Sequence, residues 1–222
     1  MTAAKLYQFL TSPFCAKVRK VLDFKDVDYE IVEVDYLERK ELLLASGQLM
    51  VPVLALASGE TIVDSARIVR RLEELYPEPT VLPPSWSGLH QVLADYIDTQ
   101  LEDVLFKASI PDKVAFFRRQ GRDREALWRM VRERKYGAGF VEQMITEHGA
   151  QQSRAHQALL PFEQALSDRA FLLGRIGLAD FALYGQLYSL AFTGELKISA
   201  ELRNLRMFFG RMYRISSAPE AA

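Results

Sequence analysis

The chain has little cysteine, little histidine and almost no net charge. Among its 222 residues are one cysteine and three histidines, and the formal net charge is −1. A single cysteine excludes an internal disulfide and is typical of a protein kept in a reducing cytosol. One cysteine and scattered histidines give no recognisable metal site. The near-zero charge gives no support for a nucleic-acid partner.

Long apolar runs are also absent. No run approaches the roughly 18 consecutive apolar residues that a membrane span needs. Nor does the opening sequence, MTAAK, lead into the apolar core of a signal peptide. The chain has instead a globular composition, 49% hydrophobic and 26% charged. We therefore expect a cytoplasmic protein without a membrane partner.

The first 76 residues predict a small α/β domain. The pattern reads strand, helix, strand, helix, strand, strand, helix, over residues 5–10, 13–25, 29–35, 38–45, 51–57, 60–63 and 65–76. A strand, a crossover helix and a parallel strand, followed by an antiparallel hairpin, make a mixed sheet covered by helices.

The composition changes after this domain. Four prolines fall among residues 77–85, which predicts a stiff linker. Only helical patterns follow, at 87–109, 123–135, 139–166, 178–191 and 201–213. We therefore divide the chain into an α/β domain (1–78), a linker (79–86) and an all-helical domain (87–222).

Two residues that can act on a thiol lie where the first strand meets the first helix. Ser12 followed by Pro13 is a common way to begin a helix. The same position attracts an anion and lowers the pKa of a thiol, so the Ser12 hydroxyl is placed to donate a hydrogen bond to a bound thiolate. Cys15, in the first turn, is either a small buried residue or a thiol activated by the helix dipole.

Two further motifs point to an extended peptide with charged ends. Pro52 interrupts a predicted strand, where proline is normally excluded. It either lies in an edge strand or at the first position of a strand, or it follows a cis bond that turns the main chain of Val51 towards a ligand. Asp64 and Ser65 precede the third helix. Either is its N-cap, or together they bind the ammonium and carboxylate of an α-amino acid.

Together these motifs resemble the glutathione S-transferase superfamily. The resemblance covers the full length: members have a thioredoxin-like domain, a linker and an all-helical domain. The sequence GRIGLADF at 174–181 is similar to the buried N-capping box of these proteins, in which Asp180 reaches back to the start of its helix. Gly177 stands where Ser or Thr is usual, so half of that box is absent.

The resemblance implies a homodimeric transferase with glutathione as co-substrate, an electrophilic small molecule as second substrate, and no metal. Ser12 would stabilise the glutathione thiolate. Val51 would pair with the cysteinyl backbone, Asp64 and Ser65 would hold the γ-glutamyl end, and a cation would meet the glycyl carboxylate. The glutathione-binding set is therefore Phe14, Arg39, Lys40, Val51, Pro52, Asp64 and Ser65, and the catalytic candidates are Ser12 and Cys15.

Two alternatives stay open. Cys15 falls on the resolving position of a glutaredoxin motif whose attacking cysteine is replaced by Ser12. That arrangement favours conjugation, with a thiol transferase, reductase or lyase working through Cys15 as the first alternative. A non-catalytic protein-interaction module of the same fold is the second.

The electrophile pocket is expected in the helical domain. Candidates on its first helix are Tyr96, Leu101 and Phe106, although a core position is the favoured interpretation of each. Residues 113–135 carry nine Lys or Arg and three Asp or Glu. They form either a solvated basic face or a segment that covers the cleft and attracts anionic substrates.

Overall fold

The computed structural model describes residues 3–215 and begins with a four-stranded mixed sheet. The strand order is β2-β1-β3-β4, with β1 and β2 parallel and the other pairs antiparallel. The elements are β1 (Ala4–Gln8), α1 (Pro13–Phe24), β2 (Tyr29–Glu33), α2 (Lys40–Ser46), β3 (Val53–Ala55), β4 (Thr61–Val63) and α3 (Ser65–Leu75). This is the predicted thioredoxin-like domain.

The apolar face of α1 packs against this sheet. Val18, Val21 and Leu22 recur at helical spacing and are fully buried. They share one core with Leu6 of β1 and Leu54 of β3, which lie opposite each other in the sheet. The strand predicted over 51–57 is shorter, because β3 begins only after Pro52, which has no N–H to donate.

The rest of the described chain is helical, and no strand occurs between residues 87 and 215. Its elements are α4 (Ser87–Tyr96), a π-helical turn (Ile97–Leu101), α5 (Glu102–Ala108), α6 (Ile110–Gln120), α7 (Arg122–Tyr136), α8 (Phe140–Thr146), α9 (His148–Ala165), α10 (Leu178–Tyr188) and α11 (Arg203–Arg214). Within residues 3–215, no helix has the length and apolar composition needed to cross a bilayer.

Two sequence predictions in this domain were wrong in detail. Helix α6 was not predicted, although Pro111 in its first turn is compatible with a helix start, where the N–H groups have no intrahelical partner. The single helix predicted over 139–166 is divided at Glu147 into α8 and α9.

A glycine lets the two domains approach closely where α1 begins. Gly185 of α10 faces the first turn of α1, and a Cβ built on it would lie 2.4 Å from the carbonyl oxygen of Pro13. Lys17 of α1 is buried beside it and forms an ion pair with Asp98 of the π-helical turn. Helix α10 therefore supports the turn that carries Ser12.

The start of α10 is capped by residues from two parts of the fold. As predicted, Asp180 reaches back, and its carboxylate accepts hydrogen bonds from the N–H of Gly177 at 3.0 Å and of Leu172 at 2.8 Å. Burial raises the pKa of Asp180 to about 7, against the opposing effect of these bonds. Gly177 has no side chain that could accept a hydrogen bond from the first turn of α10. His90 of α4 takes this role, because its Nδ1 accepts a hydrogen bond from the Ala179 N–H at 3.4 Å.

Candidate active site

Ser12 is the N-cap of α1. Its backbone is extended, with φ −87° and ψ 121°, and its Oγ accepts a hydrogen bond from the Cys15 N–H at 3.3 Å. Accepting this bond leaves the hydroxyl hydrogen for donation to another group. The residue is half-buried and lines a cavity of about 220 Å³ between the two domains. An anion at this point would meet both an O–H donor and the positive end of α1.

Cys15 lies one turn further along α1 and faces the protein interior. It is only 1% exposed. Burial raises the pKa of its thiol to about 12, despite smaller opposing effects of hydrogen bonding with the Ser12 side chain and the Phe9 backbone. The reactive form of a cysteine is its thiolate. Because the raised pKa keeps the Cys15 thiol protonated, this environment disfavours Cys15 as the reacting sulfur.

We expect the native protein to resist thiol labelling for this reason. At pH 8, Cys15 should react with a disulfide reagent at least about 1,000-fold more slowly than in denaturant, since very little thiolate is present. Absorbance of the released aromatic thiolate measures both rates, with a free cysteine derivative as the control for reagent quality. Equal rates in native and denatured protein would contradict the burial argument and restore the Cys15 mechanism.

Val51 is brought to the same cavity as Ser12, although 38 positions separate them. The Val51–Pro52 peptide bond is cis, one of the two geometries considered from the sequence. Pro52 is buried, while Met50 is 67% exposed at the cavity rim. Phe14 lines the cavity from the first turn of α1.

Asp64 and Ser65 lie outside the residues that line this cavity. Asp64 is exposed and has φ 76°, and its Oδ1 accepts hydrogen bonds from the N–H groups of Ala66 at 3.0 Å and Arg67 at 3.1 Å. Asp64 is therefore the N-cap of α3, and Ser65 is buried behind it. Their proposed contact with a bound peptide stays a prediction.

The two candidate cations before α2 differ in position. The Arg39 guanidinium lies 5.1 Å from the ring centre of Phe9 and 4.4 Å from that of Tyr36. It also donates hydrogen bonds to the carbonyl oxygens of Tyr36 and Leu49, and it lines the cavity. Lys40 is exposed and is not among the lining residues. Arg39 is the better placed of the two.

The opposite wall of the cavity comes from α5, α6 and α7. Residues of the basic segment supply most of it, so the segment covers the cleft as one of its two sequence interpretations predicted. The wall residues are Glu102, Phe106, Lys113, Phe117, Trp128, Val131, Arg132, Lys135 and Tyr136. Of the candidates on the first helix, Phe106 lines the cavity, Leu101 is in the core and Tyr96 is 48% exposed.

An interdomain ion pair holds α7 over the cleft. Nε of Arg124 donates to a carboxylate oxygen of Asp35 at 3.0 Å, and a terminal guanidinium nitrogen donates to the same oxygen. Hydrogen bonding from Arg124 is the main cause that lowers the pKa of Asp35. Both donors meet one oxygen, and the contact joins α7 to the segment that follows β2 across the cavity.

The sequence matches two family models. The model for the glutathione S-transferase N-terminal domain matches residues 6–80, and the model for the C-terminal domain matches residues 119–211. Together they span most of the chain. The protein belongs to the glutathione S-transferase family. The first match contains Ser12 and Val51, and the second contains Trp128 and Arg132.

Curated relatives in this family have several activities in their names. Maleylacetoacetate isomerase of Pseudomonas aeruginosa is 28% identical over 194 residues, which are 83% of this chain and 80% of that protein. A probable glutathione S-transferase of Nicotiana tabacum is 34% identical over 47% of this chain, and prostaglandin E synthase 2 of Mus musculus is 39% identical over 31% of it. These two matches span only 48% and 18% of those proteins.

Solved glutathione S-transferases have the same fold along the whole chain. The enzyme of Ceriporiopsis subvermispora in complex with glutathione superposes with a TM-score of 0.80 at 22% identity, covering 99% of this chain and all of that one. At this identity the likeness shows the fold, the same thioredoxin-like domain and helical domain described above.

Proposed function

We propose that this protein is a glutathione transferase that activates the glutathione thiol for attack on a small electrophile. The observation that carries the proposal is the position of Ser12, whose Oγ caps α1 and faces a cavity lined by both domains. Residues 1–78 bind glutathione, residues 79–86 link the domains, and residues 87–222 hold the electrophile. The existence of a family member solved with glutathione supports the binding part of the proposal.

In the proposed mechanism the thiol of bound glutathione loses its proton to solvent. The Ser12 O–H donates to the resulting thiolate, and the N-terminus of α1 adds a favourable partial charge. The sulfur lone pair then forms a carbon–sulfur bond, and a leaving group departs with its electron pair. A decrease of about two units in the thiol pKa corresponds to about 2.7 kcal/mol of preference for the anion.

The glutathione contacts proposed from the sequence are retained, with one preference. Main-chain pairing at Val51 is supported by its place in the cavity, which Phe14 also lines, while Pro52 is buried next to Val51. Arg39 is preferred over Lys40 for the glycyl carboxylate because only Arg39 lines the cavity. Contacts from Asp64 and Ser65 to the γ-glutamyl end complete the proposed set.

A titration of bound glutathione tests this function. The difference absorbance of thiolate between the protein–glutathione complex and its components should rise through a midpoint about two pH units below that of free glutathione. Saturable binding with an unshifted midpoint would contradict a transferase and support the non-catalytic module. The thiol transferase alternative through Cys15 has no supporting observation, since that thiol is buried and protonated.

A homodimer in the cytoplasm is part of the proposal. Large apolar side chains at and next to α4 are 47–67% exposed: Trp86, Leu89, Val92 and Tyr96. Covering such a patch against a second copy removes apolar surface from water at about 25 cal/mol per Å². Light scattering should give twice the chain mass of 25.3 kDa, and a monomer mass would contradict this part alone.

A further inference from the structure

Two cations of the helical wall converge on one aromatic ring. Nζ of Lys113 in α6 lies 4.8 Å from the ring centre of Phe106, and the Arg132 guanidinium of α7 lies 5.1 Å from it. Lys113 is only 5% exposed. Both residues line the cavity that contains Ser12. The cations therefore face the space in which an electrophile would be attacked.

Within residues 3–215, Lys113 and the half-buried Arg132 lack the close ion-pair partners that other buried cations have. Lys20 and Lys25 are also buried, and each has a carboxylate oxygen within 2.9 Å. Among the described residues, no ion pair within 4.0 Å involves Lys113 or Arg132, and Nε of Arg132 is buried without a hydrogen-bond partner. Close ion pairing therefore does not account for this arrangement, and of the described carboxylates only that of Glu102 acts on both charges, from beyond ion-pair distance.

The charge balance of the wall favours an anionic ligand. Glu102 is the one carboxylate among the described lining residues, whereas Lys113, Arg132 and Lys135 line the same wall. Burial raises the pKa of Glu102 and lowers that of Lys113. An anion bound between Lys113 and Arg132 would pair with both and accept hydrogen bonds from both.

The uncharged part of the wall is aromatic and the space is small. The Phe106 ring is 5.9 Å from Tyr136 in a stacked arrangement and 6.5 Å from Trp128, and Phe117 stacks on Trp128 at 5.7 Å. Flat rings of this kind pack well against a planar conjugated ligand. The cavity of about 220 Å³ also contains the proposed glutathione contacts Ser12, Arg39 and Val51, so the space left for a second substrate favours a small electrophile.

We propose that the second substrate is a small, planar, conjugated electrophile bearing a carboxylate, which Arg132 and Lys113 bind while the conjugated body lies against the aromatic wall of the cavity. The reacting carbon then points towards Ser12, on the opposite side of the cavity. The reaction part of this proposal rests on the proposed function, whereas the carboxylate site does not. The aromatic wall and unpaired cations belong to the helical domain, opposite the proposed glutathione contacts.

A pair of matched probes tests the reaction part. 4-Chloro-3,5-dinitrobenzoate and its neutral carboxamide react in the same way: a carbon–sulfur bond forms at the ring and chloride leaves with the carbon–chlorine electron pair. Arg132→Met should lower kcat/KM for the carboxylate about 10- to 100-fold, the range expected for a lost charge-assisted hydrogen bond, and change the carboxamide less than about 3-fold. Arg134→Met, on the exposed part of α7, makes the same charge change outside the cavity and should alter neither.

Equilibrium binding separates this inference from the proposed function. Calorimetry with unreactive 3,5-dinitrobenzoate and 3,5-dinitrobenzamide, without glutathione, should show tighter binding of the carboxylate and loss of that preference in Arg132→Met and Lys113→Met. This result without any turnover would support the site and contradict the transferase. Equal affinity for the two probes, or weaker glutathione binding in Arg132→Met, would overturn the site. Thermal unfolding checks that each variant is folded, and Lys113→Met should be at least as stable because a buried charge is removed.

Discussion

Ser12→Ala is expected to lower kcat for glutathione conjugation about 100-fold, the effect typical of removing one preorganised donor from a developing or bound anion. The affinity for glutathione should change much less, because the tripeptide's other contacts are unaffected. The pKa of the bound thiol should rise towards its value in free glutathione. Steady-state kinetics and thiolate absorbance measure these two effects on the same protein.

The control must separate the hydroxyl from the helix cap, because Ser12 has both roles. Ser12→Ala also removes the bond from the Cys15 N–H and should cost about 1 kcal/mol of unfolding free energy. Ser12→Gly removes the hydroxyl but keeps a favourable N-cap residue, at a cost of only about a few tenths of a kcal/mol. Both variants should lose activity, and the Ala variant should lose clearly more stability than the Gly variant. An active Gly variant would reduce Ser12 to a cap.

The parts of the site that the sequence predicted are those with local signals. Ser12 and Pro13 carry the signature of a helix start, and the structure begins α1 at Pro13. Asp180 reaches back three residues, a spacing that is visible in the sequence, and its bond to Gly177 is present. Each of these features depends on neighbours within one helical turn, so no tertiary contact is needed to find it.

The cationic wall could not be predicted in this way. Lys113 and Arg132 meet only because α6 and α7 pack over Phe106 of α5. In the sequence they are two of nine cations in a basic stretch, and a solvated face is the ordinary interpretation of such a stretch. The state of Cys15 is likewise tertiary, since the pattern around it allows either an activated or a buried thiol.

Replacing Gly177 is expected to have a large effect on stability, although the sequence shows at this position only the absence of a capping side chain. Gly177→Ser is expected to destabilise the protein by about 3 kcal/mol, near the upper end of the usual cost of overpacking. A Cβ at this position would lie 2.3 Å from the Cε1 and Nε2 atoms of His90, which is itself only 1% exposed. For a chain of this size, the melting temperature should fall by about 6–12 °C.

A matched glycine provides the control. Gly149 lies in α9 with no atom within 4 Å of a built Cβ, so Gly149→Ser should change the melting temperature little. A similar loss of stability in both variants would show that the effect belongs to glycine replacement in general. A stable Gly177→Ser protein would show that His90 can move at little cost.

The double variant His90→Ala/Gly177→Ser decides whether the imidazole replaces the missing cap. Removing the ring creates the space that a serine at 177 needs, and the serine hydroxyl can then accept from the N–H groups of the first turn, as in an ordinary capping box. We expect the double variant to be more stable than either single variant. In a double-mutant cycle, the coupling free energy between the two substitutions should be about 2 kcal/mol or more. Additive losses would contradict the exchange.

The pH dependence gives an independent readout of the same exchange. Burial lowers the pKa of His90, and Nδ1 can accept from the Ala179 N–H only when unprotonated. A histidine whose folded-state pKa is depressed contributes stability above its unfolded value of about 6.5, and this stability is lost as the pH falls through the folded-state pKa. The acid-side loss should therefore be smaller in the double variant, in which a serine hydroxyl that does not titrate in this range replaces the imidazole.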